Sequence, residues 1–169
     1  MNKPGEPRTR RILVTGAASG IGAALCRRLA GPDTELFMHT RANKAGIEAV
    51  AAAVRNGGGA AHVLFGNLAQ DGVAEDLIAA VARRGGVLDA LVANAGFADK
   101  TPLADLADAA LTHGHAAMPG AFHRLCRAAR PLLLAAAGGR VIAVSSFVAH
   151  RFQLDGVAMP ASAAAKAAL

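Results

Sequence analysis

The sequence predicts a single α/β domain built on a doubly wound parallel sheet, and two observations carry that prediction. Short runs that are apolar throughout alternate with longer segments whose apolar residues recur at helical spacing. Glycines punctuate the ends of those helical segments, at Gly31, Gly57–Gly59 and Gly85–Gly86, where a helix gives way to a turn. A strand without polar alternation is covered on both faces, and strands separated by helices pair in parallel. The length of 169 residues fits one domain.

Taken in order, Met1 to Arg10 is polar, contains Pro and Gly and has no periodicity, so residues 1–10 are expected to form a flexible tail and residues 11–169 the domain. Strand character is expected at Ile12–Thr15, Glu35–Thr40, Ala61–Phe65, Ala90–Ala93 and Arg140–Ser145. Helices are expected at Ile21–Ala30, Lys44–Arg55, Val73–Arg84, Leu103–Thr112 and Ala121–Ala136. Ala161 to Leu169 reads as the opening turns of one more helix, either a short terminal one or one whose continuation is lost.

Composition excludes several classes of function. Apolar residues make up 53% and charged residues 18%, which supplies a core and argues against disorder. Eighteen Lys and Arg against twelve Asp and Glu give a formal charge of +6, but Lys3, Arg8, Arg10 and Arg11 crowd the first eleven residues. With no Trp or Tyr and six Phe, stacking platforms for single-stranded nucleic acid are scarce, so no nucleic-acid partner is expected. Arg124, Arg127 and Arg130 recur every three residues and read as a solvated or subunit-contact face. The longest apolar stretch, Pro131 to Gly139, is well short of the ~20 residues a membrane span needs, and no membrane association is expected. Cys26, Cys126 and six dispersed His offer neither a disulfide framework nor metal-ligand spacing, which points to a reduced, cytoplasmic, metal-free protein.

Directly after the first strand comes Thr15-Gly16-Ala17-Ala18-Ser19-Gly20-Ile21-Gly22, opening the first helix. Gly16 lets the chain turn off the strand, Gly20 lets backbone N–H groups approach a pyrophosphate, and Gly22 permits close contact between helix and sheet. The positive end of the helix then faces the phosphates, so Gly16, Ser19, Gly20, Ile21 and Gly22 are candidate nucleotide-binding positions. The second strand ends in His39-Thr40-Arg41, without the acid that would bind the ribose hydroxyls of NAD. Arg41 is either the partner of a 2′-phosphate, which favours NADP over NAD, or a solvated loop arginine.

These residues resemble the classical short-chain dehydrogenase/reductase family. Beside the glycine loop, Ala93-Asn94-Ala95-Gly96 is similar to the family's Asn-Asn-Ala-Gly motif, with Ala93 in place of the first Asn. Gly139-Arg140-Val141-Ile142-Ala143-Val144-Ser145-Ser146 is similar to the strand that delivers the catalytic serine. The resemblance runs from Arg11 onward and implies a Rossmann-type domain, with the last strands and the substrate-covering segment of complete members lacking. It also implies that Asn67 binds adenine, that Asn94 and Gly96 line the cofactor, that Ser146 hydrogen-bonds a substrate carbonyl and that Lys166 holds the nicotinamide ribose. The family's Tyr-x-x-x-Lys is here Ser162-Ala163-Ala164-Ala165-Lys166, and Ala117 stands where the catalytic Asn is expected.

Carbonyl reduction needs a hydride donor and an acid for the developing alkoxide. Serine is too weak an acid to replace tyrosine but can donate a hydrogen bond to an oxyanion. Ser162 and Lys166, four apart, share a helix face, so Ser146 and Ser162 could polarise a carbonyl while Lys166 or a water relay supplies the proton. The competing reading of Ser162 is a small residue in a decayed site. His150 and Asp155 are candidate substitute acids, and His113 and His115 lie near the expected entrance. The resulting expectation is an NADP(H)-dependent oxidoreductase acting on a small carbonyl or alcohol, assembled as a homodimer or tetramer. The alternatives are an inactive nucleotide-binding subunit or sensor paired with an active relative, and a lyase or isomerase using its cofactor structurally.

Overall fold

A computed structural model describes residues 9–151 and 158–169. The elements follow one another as β1 (Arg10–Thr15), α1 (Gly20–Leu29), β2 (Thr34–Thr40), α2 (Lys44–Asn56), β3 (Ala60–Phe65), α3 (Val73–Ala82), β4 (Ala90–Ala93), α4 (Asp108–His115), α5 (Ala121–Leu134), β5 (Arg140–Ala143) and α6 (Pro160–Ala167). The strands form one parallel sheet in the order β3-β2-β1-β4-β5. Strand order reverses between β1 and β4, and in such sheets ligands bind beyond the carboxyl ends of the strands at that reversal.

The absence of alternation in β2 has the expected cause: all seven of its residues are buried. Leu36 and Met38 join Val14, Ile47, Val50 and Val54 in one core layer, while Phe37 joins Leu13, Leu77, Leu91 and Leu125 in the other. Cys26 is buried in the first layer, where desolvation pushes its thiol up to about 12 and removes it as a nucleophile. β5 lies at the sheet edge with Val141 and Ile142 exposed.

Two departures from the expected elements have local causes. The helix expected over Leu103–Thr112 is interrupted: a single 3₁₀ turn over Leu103–Asp105 ends at Leu106, whose extended backbone (φ −77°, ψ 113°) forces a fresh start at Asp108. Conversely, the chain stays helical from Asp108 to Leu134 through a π-helical turn, Ala116–Gly120. Pro119 within it has no N–H for the carbonyl four residues earlier, and the ladder widens instead of ending. Arg124 donates to the Ala116 carbonyl at 3.1 Å and to that of Leu68 at 2.6 Å. The arginine stripe is solvated as expected at Arg127, which pairs with Glu75 at 3.0 Å on the surface, and at Arg130, whereas Arg124 is turned inward and braces the π turn. β1 starts at Arg10, one residue inside the expected tail, and residues 1–8 lie outside the described residues. Among the described residues no helix is long and apolar enough to cross a membrane.

Candidate active site

The glycine loop sits where β1 meets α1, at the reversal of strand order. Gly16 turns with φ +67°, and a Cβ there would stand 2.8 Å from the Ala95 Cα. Gly22 packs still more tightly: its Cβ would lie 2.3 Å from the Gly16 carbonyl oxygen and 2.6 Å from Asn94 Nδ2. A side chain at either position would push the loop off the sheet.

Asn94 holds this arrangement from beneath. Its Nδ2 donates to the carbonyls of Thr15 at 3.0 Å and Gly16 at 3.2 Å. Thr15, 1% exposed, completes the joint: its hydroxyl accepts the N–H groups of Asn94 and Ala95, both at 3.0 Å, and faces the Val92 carbonyl. Asn94 was expected to line a cofactor, yet its amide faces the loop's own carbonyls. Thr15 stands two residues after Leu13, which puts it on the same inward face of the strand.

Above this joint the first turn of α1 is open. Ser19 caps the helix with extended backbone and no side-chain hydrogen bond, and no acid lies in the first turn. The space where a Cβ of Gly20 would stand is empty to 4 Å, and Ile21 is 65% exposed. The first-turn N–H groups thus have no side-chain competitor, which suits an anion. Arg41 is exposed just past β2, and its guanidinium makes no hydrogen bond or ion pair with the described residues. Asn67 follows β3 in a tight turn, where its Oδ1 accepts the Ala69 N–H at 3.1 Å and its Nδ2 is unengaged among the described residues.

His39, at the end of β2, is 2% exposed; its Nε2 lies 2.9 Å from the Gly66 carbonyl and its Nδ1 is buried without a partner. The Gly66 contact makes Nε2 the protonated nitrogen of a neutral ring. Burial outweighs that contact and holds the imidazole below its usual range. A histidine with a depressed folded value takes up its proton more readily when unfolded, so stability is complete above the unfolded value and falls as pH drops through it. Wild-type protein is accordingly expected to lose more unfolding free energy between pH 7 and pH 5 than His39→Gln. Urea titrations of both proteins at the two pH values check this.

On the other side of β4, three groups meet from β5 and α6. Lys166 is half-buried and donates from Nζ to the Val144 carbonyl at 2.7 Å; a Cβ on Gly96 would stand 3.1 Å from that Nζ. Desolvation holds the ammonium below the usual lysine range. Ser145 Oγ donates to the Lys166 carbonyl at 3.1 Å. Ser146 begins the 3₁₀ turn Phe147–Ala149, half-buried, with its hydroxyl in no hydrogen bond among the described residues.

Ser162 departs from the sequence expectation. It is 3% exposed, and its hydroxyl accepts the Asp99 N–H at 2.7 Å while donating to the Phe97 carbonyl at 3.3 Å. A hydroxyl has one proton to donate, and this one is used, so Ser162 does not share the polarising role with Ser146. His150 is exposed beyond the 3₁₀ turn, and Asp155 lies outside the described residues. His113 lies against Phe97, ring centroids 5.4 Å apart. Ala117 lies in the π turn and brings no polar side chain. Among the described residues no cluster of His, Cys, Asp or Glu is placed to hold a metal ion.

The short chain dehydrogenase family model matches residues 10–169, so the chain belongs to that family. An uncharacterized oxidoreductase of Mycobacterium tuberculosis (strain CDC 1551 / Oshkosh) is 32% identical over 135 residues, covering 79% of this chain and 51% of the relative. A short chain dehydrogenase from Burkholderia cenocepacia J2315, solved in complex with NADP, superposes with a TM-score of 0.84 at 31% identity, over 95% of this chain and 64% of that one. An NADH-dependent reductase complexed with NAD superposes equally well, TM-score 0.84 at 25% identity, over 96% of this chain and 69% of that one. The chain spans only 34–37% of the length of other curated relatives it matches.

Proposed function

We propose that this chain is the cofactor-binding and hydride-transfer part of an NADP(H)-dependent oxidoreductase that interconverts a small carbonyl and its alcohol. The observation that carries the reading is the open first turn of α1 over a loop clamped by Asn94 and Thr15, with the unengaged hydroxyl of Ser146 and the ammonium of Lys166 beyond β4. The residues present fit a dinucleotide. Backbone N–H groups at Ser19, Gly20, Ile21 and Gly22 bind the pyrophosphate, and the unengaged Nδ2 of Asn67 faces the base. Arg41 pairs with a 2′-phosphate, which favours NADP over NAD. Gly96 supplies a wall without a side chain, and Lys166 bonds the nicotinamide ribose.

The nicotinamide, when bound, supplies or accepts the hydride. The chain's own residues do the rest. Ser146 Oγ donates a hydrogen bond to the substrate oxygen, where negative charge develops. Lys166 carries the proton at Nζ, and the partial desolvation that weakens its hold on that proton suits it to release, directly or through a water. The sequence has no tyrosine, and the Ser146 hydroxyl, unengaged among the described residues, takes over its role together with the lysine. A second copy of the chain would cover the groove of about 660 Å³ that Leu111, His115, Ala116, Ala161 and Ala164 line between α4, the π turn and α6.

The test is turnover of NADPH with a panel of ketones, quinones and acyl thioesters, run in parallel on wild-type and Ser146→Ala protein. Oxidation of NADPH by the wild type well above the variant supports the reading; equal rates across the panel overturn it. The second reading, an inactive nucleotide-binding subunit, draws on the tyrosine and asparagine that are missing. NADPH binding without turnover, together with stable association with a Tyr-bearing relative, would favour it.

A further inference from the structure

The structure assigns Ser162 a positioning role: its hydroxyl is a latch that ties the segment after β4, Phe97 to Thr101, onto α6. The site reading above supplies the reason the segment matters, but the latch itself stands on this chain's own contacts.

The segment between β4 and the 3₁₀ turn at Leu103 has no regular structure, so its backbone groups need partners outside a helix or sheet. Ser162 supplies two of them. Its Oγ takes the Asp99 N–H at 2.7 Å and gives its proton to the Phe97 carbonyl at 3.3 Å, bridging two backbone groups two residues apart. The fold of the segment continues from that bridge, since Asp99 Oδ1 accepts the Thr101 N–H at 2.9 Å. Ser162 has the rigidity a latch needs, being 3% exposed between Ala161 and Ala163, both also buried, in the first turn of α6.

Two consequences reach the site. The residue before the segment is Gly96, whose backbone lies against the Lys166 ammonium. Lys166 lies one helical turn beyond Ser162 on the same helix, so the latch sets the β4 exit beside the face that carries the lysine. Phe97, held by its carbonyl, is set against His113 of α4. Without the latch the β4 exit loses both of these bonds to α6, and the wall beside Lys166 loosens. The serine at the place of the family's tyrosine is thus neither an acid nor an idle remnant.

The experiment is backbone amide hydrogen exchange of the full chain without nucleotide, comparing wild type with Ser162→Ala, Ser162→Cys and Ser162→Thr, alongside NADPH titration. The latch predicts that Asp99 N–H loses at least tenfold of its protection in Ser162→Ala and in Ser162→Cys. Leu13 and Val92 in the sheet keep theirs, and NADPH binds several-fold more weakly. Ser162→Thr, which keeps the hydroxyl, restores Asp99 protection. Unchanged Asp99 protection in Ser162→Ala overturns the latch, as does an equal loss at Asp99, Leu13 and Val92, which would make Ser162 a general stability residue. Because exchange is read without nucleotide, the latch can hold while the oxidoreductase reading fails, and the reverse.

Discussion

Gly22→Ala is expected to abolish measurable NADPH binding and to destabilise the fold. The added Cβ would stand 2.3 Å from the Gly16 carbonyl oxygen and 2.6 Å from Asn94 Nδ2, and both are fixed. The Gly16 carbonyl belongs to the turn itself, and the Asn94 amide bonds that carbonyl and the one before it. Relief requires α1 to move off the sheet or Asn94 to release the loop, and either displaces the first-turn N–H groups. Overpacking of this kind costs about 1–3 kcal/mol. Urea unfolding should show that loss, and NADPH titration should show at least a hundredfold weaker affinity. Gly20→Ala makes the contrast. Nothing lies within 4 Å of its Cβ position, so its cost comes only from the backbone at φ +53° and from crowding of the nucleotide itself.

Ser146→Ala is the second large effect. Among the described residues the Ser146 hydroxyl is unengaged at the mouth of β5, whereas that of Ser162 is spent on Phe97 and Asp99. Removing one donor to a developing oxyanion lowers turnover by on the order of 10²–10³-fold. The expected result is a loss of that size in kcat, with NADPH affinity and unfolding free energy unchanged. An equal loss of nucleotide affinity would place Ser146 in the cofactor site instead.

Much of this was legible before any coordinates. β1, β2 and β4 could be read because they lack alternation, as burial on two faces demands, and the glycine loop because a strand precedes it and a helix follows; β5 carries the same apolar run yet lies exposed at the sheet edge. What escaped were features that depend on contacts distant in sequence. The spacing assigns no helix between Thr112 and Ala121, yet a π turn carries the chain through Pro119 and Arg124 caps the Ala116 carbonyl. The arginine stripe has correct helical spacing, yet spacing alone does not reveal that Leu68 and Glu75 lie opposite. The Ser-x-x-x-Lys spacing singles out Ser162, but its partners sit sixty-odd residues away, and no local pattern announces them. Asn94 and Thr15 were visible as motif residues. Their division of labour in clamping the loop follows from the register of β1 beside β4.

The central claim is that this chain carries a working NADP platform, and fluorescence titration with NADPH and NADH, of wild type and Arg41→Ala, tests it most directly. The account predicts saturable NADPH binding that weakens about tenfold or more in Arg41→Ala, the loss of ~1.4 kcal/mol, while NADH affinity stays as it was. Failure of both nucleotides to bind the wild type, or an equal loss for both in the variant, would contradict it.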